Sequence, residues 1–295
     1  MKSSLSRKVF VVFNVAILAA TSFLCLVPVI NLIAVSFSSR SVVEANLVGL
    51  WPKEFTLASY RYVFDNPQFY KSLSMTVERV ALGWAVNIGL TILVAYPLSK
   101  EKNVFRFRGV YVWFFLVTMV FSGGLIPTYL VVNELGLINS VWSLILPEAV
   151  QMFYVLLMLN FFRGIPKEIE EAALTDGAGW LRSLASVYLP LSLPSLATVT
   201  LFILVGHWNA WFDGLIYMNL PDRYPLMTYL QTIVTNLDLS QLGSASLANN
   251  PSLLELTGRS LRSAMIFACT VPILFVYPFL QRFFVKGMLL GSVKG

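Results

Sequence analysis

The amino-acid sequence predicts an all-α integral membrane protein with six transmembrane helices and both termini in the cytoplasm. Hydrophobic residues make up 57% of the 295-residue chain, and its mean hydropathy is +0.73. Charged residues make up only 12%, against about 25% in soluble domains, so there is too little polar material to cover a soluble fold of this size. The net charge is +6, but the basic residues lie at the ends of apolar runs. That pattern indicates orientation in a bilayer rather than nucleic-acid binding.

Six apolar segments are long enough to cross a bilayer core of about 30 Å, which takes roughly 20 helical residues. The first run is far longer than the roughly 7–15-residue apolar region of a signal peptide, so we interpret it as a retained membrane helix. The third run contains SGGLIP at residues 122–127, whose two glycines and proline predict a break in the helix. The predicted spans are approximately 9–36, 73–98, 110–132, 141–162, 187–216 and 263–281.

The distribution of lysine and arginine predicts the orientation. With both termini inside, the inner segments hold 13 basic residues in 57 positions and the outer loops hold 7 in 90. This difference follows the positive-inside pattern and places residues 163–186 in the cytoplasm. The outer loop 217–262 is predicted to carry a short helix over the outer mouth. The inner segments are 1–8, 99–109, 163–186 and 282–295.

The predicted cytoplasmic loop 163–186 is a charged, small-residue segment between two apolar runs. Pro166 suits the first position of a helix, and three glutamates in the opening turns complement the helix dipole. Gly177 and Gly179 then break this helix, and residues 180–187 start a second short one. The loop therefore predicts a short helix–turn–helix that lies across the membrane face. The three glutamates are Glu168, Glu170 and Glu171.

The same loop carries a longer sequence pattern. The string EAA at residues 171–173 is followed after three residues by Gly177 and after nine more by VYLP at residues 187–190. This spacing resembles the EAA loop of the permease subunits of binding-protein-dependent ABC importers, with valine in place of the usual isoleucine. HWNAW at 207–211 and the closing stretch 281–295 are similar to the carbohydrate-uptake branch, and in particular to the smaller membrane subunit of maltose transporters.

The resemblance implies a permease with the type I ABC importer fold, one transmembrane domain covering residues 1–295 of a protein in the bacterial cytoplasmic membrane. The loop would dock into a cleft on a dimeric ATPase, which would bind ATP and Mg²⁺, so this chain would be neither an enzyme nor the carrier of a cofactor. A second homologous permease and an extracytoplasmic solute-binding protein are implied as further partners. The alternative is an amphipathic interfacial loop that contains EAA by chance. The implied ATPase-coupling residues are Glu171, Ala172, Ala173, Asp176, Gly177, Leu189 and Pro190.

The fifth predicted span contains candidates for a substrate pathway. His207 is the only histidine, and an ionisable group within a span is a functional candidate, but it can equally hydrogen-bond within the helix bundle. Asn209 can bond sugar hydroxyls beside aromatic faces that stack on sugars; the alternative for the tryptophans is interfacial anchoring. Asp213 can simply be solvated, and the adjacent Glu78 and Arg79 are expected to pair with neighbouring helices. The pathway candidates are His207, Trp208, Asn209 and Trp211.

The sequence contains no recognisable catalytic or metal-binding motif. It has no Walker A string for ATP, no H-E-x-x-H and no G-x-S-x-G, so an intramembrane enzyme or a metal site is not predicted. The rival class is an ion-coupled secondary transporter, which would need carboxylates near the middle of the bilayer and usually repeats with discontinuous helices. The GSVKG end and the long outer loops resemble the branch that takes up larger or acidic saccharides, alginate included.

Overall fold

The computed structural model describes residues 5–236 and 256–291. Within these residues every regular element is helical, and an isolated β-bridge joins Ser38 to Phe55. Two 3₁₀ turns, Val141–Leu144 and Leu146–Glu148, precede α7, and a π-helical turn, Leu184–Tyr188, separates α9 from α10. The α-helices are α1 Leu5–Ser36, α2 Arg40–Glu44, α3 Ala58–Asp65, α4 Pro67–Ser99, α5 Arg108–Val120, α6 Leu125–Glu134, α7 Met152–Arg163, α8 Lys167–Thr175, α9 Trp180–Ser183, α10 Leu189–Leu191, α11 Leu193–Asn209, α12 Phe212–Tyr217, α13 Leu226–Asn236 and α14 Gly258–Gly291.

The helices differ in how they could cross a membrane. Among the described residues, Arg7–Ser36 of α1 and the whole of α4 are long and apolar enough for a single crossing, and three bent helix pairs bring the number to five. The sixth predicted span, 263–281, lies within α14, whose side chains are described only in its first half. The six-span count and the cytoplasmic termini therefore stay predictions. Loop 217–262 includes the described helix α13, Leu226–Asn236. The predicted short helix belongs to the stretch 241–260, of which residues 241–255 lie outside the described residues.

The described residues divide between two compact units. One draws on Met1–Phe69 and Leu230–Val271, and the other on Tyr70–Tyr229 and Pro272–Gly295. In the first unit, the most apolar 18-residue window of Arg7–Ser36 has a mean hydropathy of 2.4 and none of it is buried. An all-round apolar helix needs lipid or another subunit against it. The end of α1 packs instead on α2 and the loop after it, through Ala34, Val35, Val42, Val43 and Val48.

The second unit has the larger core, formed by α4, α7 and α11. These helices meet through aliphatic, methionine and aromatic side chains. The end of α4 also packs on the π-helical turn through Tyr96 and Tyr188. The most deeply buried members of this core are Ala95, Val155, Met158, Phe162, Val199 and Ile203.

The third predicted span is broken where the sequence predicts it. α5 ends at Val120, α6 begins at Leu125, and their axes differ by 114°. Gly124 adopts a φ of +85°, a backbone region that glycine enters without steric cost. The predicted break in SGGLIP is confirmed.

The fourth and fifth predicted spans are interrupted as well, which the hydropathy pattern did not predict. Within 141–162, two 3₁₀ turns lead into α7 at a bend of 53°. Within 187–216, a bend of 83° precedes α11, and a second break separates α11 from α12. Pro190 and Pro194 lie on either side of the 83° bend, and neither can donate a backbone hydrogen bond. Prolines hardly lower a hydropathy average, so both segments read as continuous spans.

Candidate functional site

The predicted helix–turn in the EAA loop is α8 and the turn that follows it. Pro166 is extended (φ −56°, ψ 133°) and α8 begins at Lys167, one residue later than predicted. At its end, the Gly177 N–H donates to the Leu174 carbonyl at 3.0 Å and the Ala178 N–H donates to the Ala173 carbonyl at 2.9 Å. These two bonds form a Schellman motif, which requires a left-handed residue at the first position beyond the cap. Gly177 supplies it with a φ of +82°, so the predicted turn is confirmed.

Most of the implied ATPase-coupling residues are exposed on the protein surface. Because four of them are exposed on α8 and its turn, a partner could reach them directly. Ala173 and Leu189 are half-buried, and Pro190 is exposed beside the bend. The structure contains this chain alone, so the role of these residues in coupling to an ATPase stays a prediction. The exposed members on α8 and its turn are Glu171, Ala172, Asp176 and Gly177.

The opposite side of α8 is anchored by Glu170, a residue that the sequence assigned only to the helix dipole. Its Oε1 pairs with the Lys100 ammonium, and its Oε2 accepts a hydrogen bond from the Tyr188 hydroxyl at 2.6 Å. The Lys100 and Glu170 side chains are 7% and 16% exposed. One carboxylate therefore ties α8 both to the residue after α4 and to the π-helical turn before α10.

The Lys100 ammonium lies among three aromatic rings. Its Nζ is 3.9 Å from the centroid of Tyr188, 4.1 Å from that of Tyr96 and 5.7 Å from that of Trp180. The Tyr96 hydroxyl also donates to the Trp180 carbonyl at 3.1 Å, which fixes one wall of the cage. Burial lowers the pKa of Lys100, while the hydrogen bond and charge of Glu170 act in the opposite direction. In the sequence, Lys100 carries no signal beyond that of an orienting charge near the end of a span.

A second, exposed ion pair joins the same two segments. Lys167 at the start of α8 pairs with Glu101, and their side chains are 69% and 53% exposed. The pairing lowers the pKa of Glu101 and raises that of Lys167. Both pairs line a cavity of about 550 Å³ under α8, together with Arg108. Exposed pairs of this kind contribute little to stability.

The end of α4 is held by two arginines. Arg108 Nε donates to the Leu98 carbonyl at 3.0 Å, and Arg163 Nη2 donates to the same oxygen at 3.3 Å. Cations at a helix C-terminus interact favourably with the helix dipole and satisfy carbonyls that lack helical partners. The segment that carries Lys100 is therefore fixed to α5 and α7 as well as to α8.

The structure separates the four pathway candidates. His207 and Trp208 are buried, whereas Asn209 and Trp211 are exposed. The His207 ring packs so closely on Gly83 that any side chain there would overlap it, and its Nδ1 accepts from Arg79 Nε at 3.4 Å. The hydrogen-bonding alternative for His207 is thus the one that the geometry supports. Lining of the pathway by Asn209 and Trp211 stays a prediction.

Asp213 is not simply solvated, which corrects the sequence interpretation. It forms a two-bond ion pair with Arg79, whose Nη1 donates to Asp213 Oδ1 at 3.1 Å and whose Nη2 pairs with Oδ2. The same guanidinium donates at 3.4 Å to the carbonyls of Leu144 and Ala210. Arg79 therefore links a 3₁₀ turn, the α11–α12 break and α12, and its predicted pairing with other helices is confirmed. Glu78, the other residue of that prediction, is exposed. Because these partners lie 65–134 residues away, no local signal identifies them.

Individual relatives, rather than a family model, show the family to which the chain belongs. No protein-family model matches the chain. Protein LplC of Bacillus subtilis (strain 168) is 37% identical over 295 residues, which cover 100% of this chain and 98% of that protein. The polygalacturonan/rhamnogalacturonan transport system permease protein YtcP of the same organism is 39% identical over 279 residues, covering 93% of this chain and 94% of that protein.

A solved structure agrees with these relatives. The fold is similar to that of a chain in a crystal structure of a bacterial ABC transporter involved in the import of the acidic polysaccharide alginate, with a TM-score of 0.86 and 29% identity. The match covers 96% of this chain and 99% of that chain. Relatives above 30% identity along almost their entire length, with a matching fold, carry the assignment. The chain belongs to the permease subunits of ABC transporters that carry sugars.

Proposed function

We propose that this chain forms half of the translocation pathway of an ATP-driven saccharide importer and that α8 is the helix that docks on the ATPase. The observation that carries the proposal is the two-sided character of α8. One side presents Glu171 and Ala172 to the surroundings, while Glu170 binds the other side to the rest of the permease. Family membership removes the rival class of ion-coupled secondary transporters.

The geometry suits mechanical coupling. Small side chains such as Ala172 let a partner approach the helix backbone closely, and the exposed carboxylate of Glu171 can pair with a cation on that partner. The Schellman turn at Gly177 fixes where α8 ends. Closure of the docked ATPase would then move α8 as a rigid body, and alternating access would follow from movement of the two permease subunits about a central pathway.

We assign the chemical step to other subunits. The sequence has no G-x-x-x-x-G-K-[ST] string, the backbone arrangement that cradles nucleotide phosphates, so ATP and Mg²⁺ would be bound by a dimeric ATPase. A second permease would complete the pathway, and an extracytoplasmic solute-binding protein would deliver the saccharide. We place the complex in the bacterial cytoplasmic membrane, with both termini of this chain inside.

For the substrate class, we propose an acidic saccharide. The relative named as a polygalacturonan/rhamnogalacturonan permease and the structural neighbour named as an importer of the acidic polysaccharide alginate support this class. The exposed Asn209 and Trp211 are the candidates in this chain for contact with the sugar. The second permease would supply the remaining contacts, including cationic ones.

Charge reversal at the docking face tests the coupling role. Glu171→Lys places a cation at an exposed site in the middle of α8. We expect the variant to insert normally and to lose co-purification of the ATPase together with saccharide uptake. Glu134→Lys makes the same reversal at an exposed residue near the end of α6 and serves as the matched control. Normal ATPase binding and uptake by Glu171→Lys would remove α8 as the docking helix.

A further inference from the structure

The Lys100–Glu170 ion pair is not part of the surface of α8 that we propose docks on the ATPase. It lies behind the proposed docking face, on the side of α8 that meets the permease core. We propose that Lys100 and Glu170 form the joint that transmits the movement of α8 to α4 and to the π-helical turn, and that they are positioning residues for ATP-driven transport. This inference rests on the proposed coupling function of α8.

The two bonds of the Glu170 carboxylate connect α8 to two different segments of the permease. Through Oε1 the carboxylate holds Lys100, which directly follows α4, and through Oε2 it holds Tyr188 at 2.6 Å, at the end of the π-helical turn. Because α10 and α11 continue from that turn, displacement of α8 would act on both sides of the second unit's core. On the α4 side, Arg108 and Arg163 clamp the Leu98 carbonyl, so movement of Lys100 would pass into the helix.

The Lys100–Glu170 pair is better suited to fixing the geometry of a contact than to stabilising the folded protein. Burying an ammonium and a carboxylate costs desolvation that their attraction seldom exceeds, and apolar replacements of such pairs are often neutral or stabilising. The rings of Tyr96 and Tyr188, near 4 Å from Nζ, offset part of this cost through cation–π attraction. A purely structural contact could be made by methionine at position 100. The ion pair adds a fixed direction of contact, which methionine would not provide.

The exposed pair gives an internal comparison. Lys167 and Glu101 bridge the same two segments with the same charges, but their side chains are 69% and 53% exposed. A solvated pair of long side chains exchanges readily with water and transmits little force. If the joint depends on burial and the cage, removing the exposed pair should have no effect on coupling.

The test uses the complete importer in proteoliposomes, with ATPase, second permease and solute-binding protein present. The charge-neutral double variant Lys100→Met/Glu170→Gln should fold and retain the ATPase on purification. Saccharide transported per ATP hydrolysed should fall well below the wild-type ratio. Lys167→Met/Glu101→Gln is the matched control and should keep the wild-type ratio. Tyr188→Phe removes only the hydroxyl donor to Glu170 and should give an intermediate ratio.

Each outcome is informative about the joint. A wild-type ratio in the Lys100/Glu170 double variant, or equal ratios for the buried and exposed pairs, would overturn the proposal. Loss of the ATPase on purification would overturn it too, because the pair would then only shape the docking face. If the double variant does not accumulate in the membrane, Tyr188→Phe provides the test. A wild-type ratio of saccharide transported to ATP hydrolysed in that variant would contradict the proposal. Failure of the docking assignment itself is read separately, from normal ATPase binding by Glu171→Lys.

Discussion

Replacement of Gly177 by valine isolates the geometry of the turn after α8. A Cβ at this position would meet nothing within 4 Å, so no clash contributes and the cost comes from the backbone alone. At a φ of +82°, a β-branched residue is strained by about 1–3 kcal/mol. That free energy lowers the population of the native turn by roughly 5–150-fold relative to alternatives that a valine can adopt. The energy is too small to unfold a membrane domain but large enough to misplace the end of the docking helix.

The neighbouring glycine provides a matched control for this prediction. Gly179 has a φ of −71° and a ψ of 169°, an extended conformation that valine adopts without strain, and a Cβ there also meets nothing within 4 Å. We expect Gly177→Val to insert normally but to lose ATPase co-purification and uptake, whereas Gly179→Val stays near wild type. Gly177→Asn should recover part of the activity, since asparagine tolerates the left-handed region.

The assay compares uptake, ATPase stimulation and co-purification of the ATPase in membranes with matched permease levels. If Gly177→Val and Gly179→Val behave alike, strain in the turn is not what positions the docking helix. If Gly177→Asn is as defective as valine, the position demands the absence of a side chain for contact rather than for conformation. Either result would refute the reasoning from φ.

Three further predictions concern the membrane region. Asn209→Ala and Trp211→Ala should lower uptake or change saccharide preference while basal ATPase activity survives, and unchanged uptake kinetics in both would assign these side chains to packing or anchoring. Asp213→Asn should lower the thermal stability of the solubilised permease, because it leaves the buried Arg79 cation uncompensated. The loss in the free energy of unfolding should be about 3–5 kcal/mol, and the charge-neutral double variant Arg79→Met/Asp213→Asn should recover part of that stability. A cysteine replacing Ser3 in a cysteine-free background should label with impermeant thiol reagents only after permeabilisation, and labelling in intact cells would reverse the predicted orientation.

Local signals in the sequence predicted the features that depend on local chemistry. The break before α6 and the turn after α8 both follow from glycines that adopt positive φ, at Gly124 and Gly177. Helical class and approximate element positions follow from hydropathy. The bends within 141–162 and 187–216 were not predicted, because a window average over apolar residues hides prolines and short 3₁₀ turns. Where a membrane helix bends depends on which neighbours satisfy the freed backbone groups, and that is tertiary information.

The anchoring groups of the candidate site were beyond sequence reasoning for a similar reason. Lys100 and Glu170 are 70 residues apart, and each alone has an ordinary explanation as an orienting charge or a helix-dipole residue. Glu171, the neighbour of Glu170, stands out because it opens the EAA string, yet Glu170 makes the contacts. Side-chain direction on a helix decides this, since adjacent residues point about 100° apart. The exposed face could be predicted from a motif, but its anchored face could not.

Two ion pairs in the described part of the second unit show why charges occur in so apolar a chain. Each lies where a helix is interrupted. Arg79 donates to the carbonyls of Leu144 and Ala210, which lie at helix ends. Lys100 follows the end of α4 and, through Glu170, fixes the π-helical turn before the 83° bend. In a bilayer, broken helices are tolerated only where the freed backbone groups find partners inside the protein. Arg79 meets that need by donating to two such carbonyls, whereas Lys100 and Glu170 bind side chains and hold two segments together. Continuous helices would leave no such backbone groups without partners and would need no such donors.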